Sequence, residues 1–131
     1  MKLIVIDIQK GITDERLYNY DGFIKNVTSI IDAARKNNVL ANYLRESKEK
    51  DLMIVGLQTN FCVDASVESA FERGYKVIVP KGTNSTFDND YMDRETTYKY
   101  YNDMMWPERF ASCISVDDAI KMIEDYHEVD S

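Results

Sequence analysis

The chain predicts one α/β domain, a three-layer arrangement in which a mostly parallel sheet is flanked by helices. Three observations carry this. Short, largely apolar runs recur at "LIVI" (3–6), "LMIV" (52–55), "KVIVP" (76–80) and "SCISV" (112–116), the first two unbroken. Such runs suit strands buried on both faces, as parallel strands are. The segments between them carry apolar residues at helical spacing, and strands alternating with helices build a parallel sheet. With 131 residues, 44% hydrophobic and 30% charged, the chain has material for one core and not for two.

Element by element, "LIVI" is the first strand. Asp21 is the expected N-cap of the first helix, whose buried stripe is Phe23, Val27, Ile30 and Ala34, with Ile24 and Ile31 beside it. That helix should fade at "KNN", where Asn38 can take a left-handed turn. "YLRESKEK" favours a helix, and "LMIV" is the second strand. Thr59 or Asn60 should cap the next helix, with Val63, Val67, Ala70 and Phe71 inward and Gly74 ending it. "KVIVP" is a third strand and "KGTNSTFDNDYMD" a polar loop. "RETTYKYYNDMM" is a helix, "SCISV" a fourth strand, and "DDAIKMIEDYH" a helix starting at Asp117 or Asp118. The alternation breaks once. Between the first helix and Leu52 no second apolar run occurs, so one or more strands are expected to be lacking there.

Composition excludes several functions. The net charge of −7, spread along the chain, repels phosphate backbones and anionic headgroups, so neither nucleic acid nor membrane is an expected partner. The apolar start is too short for a signal peptide, so the expected location is cytoplasmic and Cys62 and Cys113 are expected to be free thiols. "DNDYMD" has the acidity of a calcium loop without its glycine or terminal glutamate, and reads as a solvated loop. Tyr98, Tyr101, Met105 and Trp106 read first as core packing and second as an oligomer surface, and Cys113 as a small buried hydrophobe.

Chemistry is expected where Asp7 and Cys62 meet. Ligands of open parallel sheets bind at the carboxyl ends of the strands. Asp7 follows the first strand and Cys62 follows the second, so neighbouring strands would bring carboxylate and thiol to one rim. The first turn of a helix favours a thiolate, its N–H groups can hold an oxyanion, and a nearby carboxylate can accept the thiol proton.

The stretches "LIVIDIQKGI" and "LMIVGLQTNFCVDASVESAFERGYKVIVPKGTNS" resemble the isochorismatase-like cysteine hydrolases, which include nicotinamidases. The resemblance covers 1–38 and 42–116. It implies a Rossmann-like parallel sheet, a homodimer or larger assembly, and a small-molecule amide as substrate. Asp7 would deprotonate Cys62, whose sulfur would attack the carbonyl, expel an amine and leave a thioester for water to cleave. A cis peptide at Leu57–Gln58 would turn the Gln58 N–H toward the oxyanion beside that of Cys62. Gln9 and Ile12 would border the substrate; many relatives carry phenylalanine where Ile12 stands. Phe61, next to Cys62, either walls the same pocket or faces the core. The family's lysine, and the metal-binding residues of nicotinamidases, would fall in the gap already noted, which amounts to an internal deletion near 39–41 of the 1–131 domain. Lys48 and Lys50 match the helix after that gap and do not inherit the role. No metal and no cofactor are therefore expected; His127, in the C-terminal tail, reads as solvated. Two functions follow: an amidohydrolase, impaired by the lost lysine, or an inactive relative kept for binding or assembly. A phosphoryl-acceptor role for Asp7 is disfavoured, because that chemistry wants a second aspartate where Gln9 stands.

Overall fold

The computed structural model describes residues 1–8, 13–37, 39 and 50–126. Gln9, Ile12, Asn38, Lys48, His127 and the "YLRESKEK" helix up to residue 49, together with the rest of the expected deletion site after Val39, lie outside the described residues.

Strand β1 (Lys2–Ile6), helix α1 (Tyr20–Lys36) and strand β2 (Asp51–Leu57) come first. A π-helical turn, Thr59–Val63, runs directly into α2 (Asp64–Glu72). Strands β3 (Lys76–Pro80) and β4 (Asn84–Ser85) follow, then α3 (Arg94–Lys99), which continues as a second π-helical turn, Tyr100–Met105. Strand β5 (Ser112–Ile114) and helix α4 (Val116–Asp125) close the described chain. The sheet order is β1-β2-β3-β5, with β4 added to β2, and all these pairings are parallel. Among the described residues no strand lies beyond β1; there the Leu3 N–H donates to the Val39 carbonyl at 2.6 Å.

Two apolar clusters sandwich the sheet. On one face Leu3, Met53, Val55 and Ile78 meet Phe23, Val27, Ile30 and Ala34 of α1 and Ala119 and Ile123 of α4. On the other, Leu52, Ile54, Val77 and Val79 meet Val63, Val67 and Ala70 and the fully buried Trp106. Successive β2 residues therefore feed opposite clusters, which is why "LMIV" is apolar without alternation. Burying such a side chain is worth ~1.5–3 kcal/mol. Cys113 packs against the second cluster, and burial pushes its thiol up to about 11. Among the described residues, no helix is long and apolar enough to cross a membrane.

The helix ends differ from the sequence expectation. α1 begins at Tyr20 with Asn19 in the N-cap position, left-handed at φ 50, and not with Asp21. The α1 backbone is already turning when Asp21 arrives. α4 begins at Val116 because the Ser115 hydroxyl accepts the Asp118 N–H at 3.0 Å. Serine at N-cap and aspartates in the first turn match the preferences of a helix start. Phe71 is 46% exposed and meets Phe110 edge-on, outside the inner stripe of α2. Gly74, at φ 89, does end that helix, its N–H bonding the Phe71 carbonyl. Tyr98 is buried, and Tyr101 and Met105 pack on the second cluster, so this stripe is largely core.

Candidate active site

The register of β1 on β2 sets Ile6 opposite Gly56, so Asp7 and Gln58 leave the sheet at the same rim. Two local features bring the strand ends close. Gly56 has φ 131, and a Cβ there would overlap the Ile6 carbonyl oxygen and stand 2.7 Å from the Ile6 nitrogen. Only glycine permits both the dihedral and the approach. Asp7 itself has φ 46, a left-handed conformation that aspartate tolerates better than most residues. The Leu57–Gln58 peptide is cis.

Beyond it the chain winds as a π-turn. The Gln58 carbonyl accepts the N–H groups of both Phe61 and Val63 at 3.1 Å. Neither Thr59 nor Asn60 caps this turn. The Thr59 hydroxyl is directed away and donates to Asn84 Oδ1 at 2.6 Å. Thr86 donates to Asn60 Oδ1 at 2.6 Å, and its hydroxyl also lies 3.3 Å from Gln58 Oε1. Two residues past Cys62, Asp64 accepts the Trp106 Nε1–H at 2.9 Å, tying the start of α2 to the core.

Cys62 is exposed on this turn and meets Asp7. A hydrogen-bonding interaction with the Asp7 carboxylate, then partial desolvation, then the carboxylate's charge, raise the thiol pKa. The backbone N–H of Cys62 pulls the other way with less effect. The expected lowering by the helix start is thus overturned. An adjacent anion outweighs the turn's dipole, because the negative charge of Asp7 opposes thiolate directly. Among the described residues no lysine or arginine contributes to the shift. Lys50 precedes Asp51 at the opposite end of β2, where its carbonyl bonds the Lys76 N–H at 2.7 Å. A seven-residue strand spans ~20 Å, so Lys50 does not reach the rim.

Phe61, 60% exposed, stands beside the thiol and does not face the core. Gln9 and Ile12 lie outside the described residues. Among the described residues no cluster of histidine, cysteine, aspartate or glutamate could hold a metal ion. The sequence reading missed the segment Thr83–Thr86, taken for an ordinary polar loop. All four residues are buried, and the Thr83 carbonyl accepts the Gly56 N–H at 2.9 Å. Polar residues at full burial imply partners, but the sequence does not reveal their burial.

A parallel sheet flanked by helices, with Asp7 and Cys62 together at its carboxyl rim, defines an α/β protein whose candidate site lies at the strand ends. A model of the isochorismatase domain matches residues 36–118, more than half of the chain, and the protein belongs to the isochorismatase family. The match contains Cys62 but begins after Asp7. The chain is similar in fold to an isochorismatase family protein at 22% identity and TM-score 0.73, over 87% of this chain and 97% of the other. It is also similar to a cysteine hydrolase from Pseudomonas syringae pv. phaseolicola 1448A, at 13% identity and TM-score 0.75, over 93% and 91%. An isochorismatase family protein from Burkholderia thailandensis aligns at 12% identity and TM-score 0.75, over 94% and 95%. No curated protein matches the chain.

Proposed function

We propose that the protein hydrolyses the C–N bond of a small amide through a thioester on Cys62. The observation that carries this is the Asp7 carboxylate at the rim, near enough to the Cys62 thiol to raise its pKa. In the proposed reaction the proton moves from sulfur to Asp7 as sulfur bonds the carbonyl carbon. The N–H groups of Gln58 and Cys62 hold the oxyanion. Collapse breaks the C–N bond, and the protonated Asp7 returns its proton to the departing amine. Asp7 then takes a proton from water, which attacks the thioester and releases acid and thiol. Phe61, Gln9 and Ile12 border the substrate in this reading, and the protein works as a homodimer or larger assembly.

The raised thiol pKa means that little thiolate pre-exists, so proton transfer must accompany attack. An acid–base partner is typically worth ~10²–10⁴-fold in rate, the loss expected if no lysine completes the pair. We take the chain as a shortened form of a longer enzyme; an intact mass near 15.2 kDa would rule out an omitted segment, and a source gene encoding a strand, loop and lysine between Val39 and Ala41 would rule out a natural deletion. The same raised pKa favours a second reading, a non-catalytic relative that binds or assembles.

One experiment separates the two. The protein is incubated with a panel of small primary amides, and Cys62 is searched for an acyl adduct by mass spectrometry while ammonia is measured. Adduct and ammonia, lost together in Cys62→Ala and reduced in Asp7→Asn, are expected. Ammonia release that survives Cys62→Ala, or a panel that leaves neither signal, would sink the hydrolase reading.

A further inference from the structure

Behind the thiol lies a line of buried polar groups that no step of the proposed reaction uses. Thr59, Asn84 and Asn102 are each at most 1% exposed. Asn84 Oδ1 accepts from the Thr59 hydroxyl at 2.6 Å and from Asn102 Nδ2 at 2.9 Å, which fills both of its lone pairs. Asn84 Nδ2 donates back to Asn102 Oδ1 at 2.9 Å, and Asn102 Nδ2 also bonds the Tyr98 carbonyl at 2.9 Å. The amides thus form a reciprocal pair. One sits on β4, which is paired to the end of β2, and the other sits in the second π-helical turn. The hydroxyl they hold belongs to the first π-helical turn, three residues before Cys62.

We infer that Asn84 and Asn102 are positioning residues for Cys62, fixing through Thr59 the direction in which the π-turn presents sulfur to Asp7. This rests on the proposed role of that pair. Stability alone does not account for the arrangement. A fully bonded polar set in a core adds little over an apolar set of equal volume, and leaving it half-bonded is costly. What hydrogen bonds add is direction, and these join the only two π-helical turns among the described residues. π-turns of this kind often occur where a helix must aim a group at a site.

The test reads the pH dependence of iodoacetamide alkylation, with Cys113 as an internal monitor of folding because burial keeps its thiol protonated up to about 11. Thr59→Val keeps the shape and removes the hydroxyl; Thr59→Ser keeps the hydroxyl. A freed turn lets sulfur drift from the carboxylate that raises its pKa. In Thr59→Val and Asn102→Ala the Cys62 midpoint should therefore fall by ~1 pH unit, toward the value in Asp7→Asn, while Thr59→Ser retains the wild-type midpoint. Cys113 should stay protected in each. Should Asn102→Ala fail to fold, the isosteric Thr59→Val decides alone. A folded Thr59→Val with the wild-type midpoint, where Asp7→Asn does move it, overturns the positioning role and leaves the acid–thiol pair standing. If Asp7→Asn leaves the midpoint in place, the pair and the positioning role both fall.

Discussion

Replacing Gly56 with alanine should loosen the fold and the site together. The new methyl meets Ile6 backbone atoms, not a side chain that could swing aside, and its nearest non-oxygen contacts would be 2.7 and 2.8 Å. Relief requires β1 and β2 to move apart at their carboxyl ends. Holding a non-glycine residue at φ 131 costs ~1–3 kcal/mol. Parting the strands also weakens the Ile6–Gly56 pairing and the Gly56 N–H bond to Thr83, at ~1 kcal/mol each. The sum is ~3–5 kcal/mol, a large share of the ~5–15 kcal/mol that holds a domain of this kind together. Urea unfolding followed by circular dichroism measures it. With a slope of ~1–3 kcal/mol/M, the midpoint should drop by at least ~1 M. A midpoint within ~0.3 M of wild type, at unchanged slope, would refute the claim that close strand approach at Gly56 holds the rim.

Two further outcomes are expected. Trp106→Phe removes the indole N–H that Asp64 accepts at 2.9 Å and leaves a void in the second cluster; the urea midpoint should fall by an amount equal to ~2 kcal/mol, and an unchanged midpoint would detach Asp64 from the core. Glu68 has its pKa raised, first by a hydrogen bond with Asp64, then by desolvation and the charges of Asp64 and Glu72. A carboxyl raised on folding adds stability below its unfolded pKa, and that stability is lost as pH rises through the folded value. Glu68→Gln should therefore gain on wild type as pH rises from the ordinary glutamate range through the raised folded value, as measured by urea midpoints, and a constant difference would exclude the Asp64–Glu68 contact.

The strands were legible because burial on both faces leaves no polar residue in "LMIV" or "VIVP", and α1 and α4 because their apolar stripes are continuous. Asp7 and Cys62 could be paired from chain order alone, since parallel neighbours end at one rim. The caps were less legible: Asn19, Asp21, Ser115, Asp117 and Asp118 are all competent, and tertiary packing chose among them. β4 was invisible because two polar residues carry no periodicity; Asn84 and Ser85 pair with β2 only where the rim brings them alongside. The direction of the Cys62 shift was misread for a similar reason. A helix start is local and readable, whereas the opposing carboxylate acts across the sheet.

β2 is bonded to β1, β3 and β4 and lends its side chains to both apolar clusters, and its last residues lead straight into the reactive turn. Core strands bonded on both sides open at free energies near that of global unfolding, which is the exchange behaviour expected of β2. The thiol is thereby mounted directly after the strand that, among the described residues, is bonded to the most neighbours. Sequence drift in 52–57 consequently cannot adjust reactivity without also altering how long the folded chain survives.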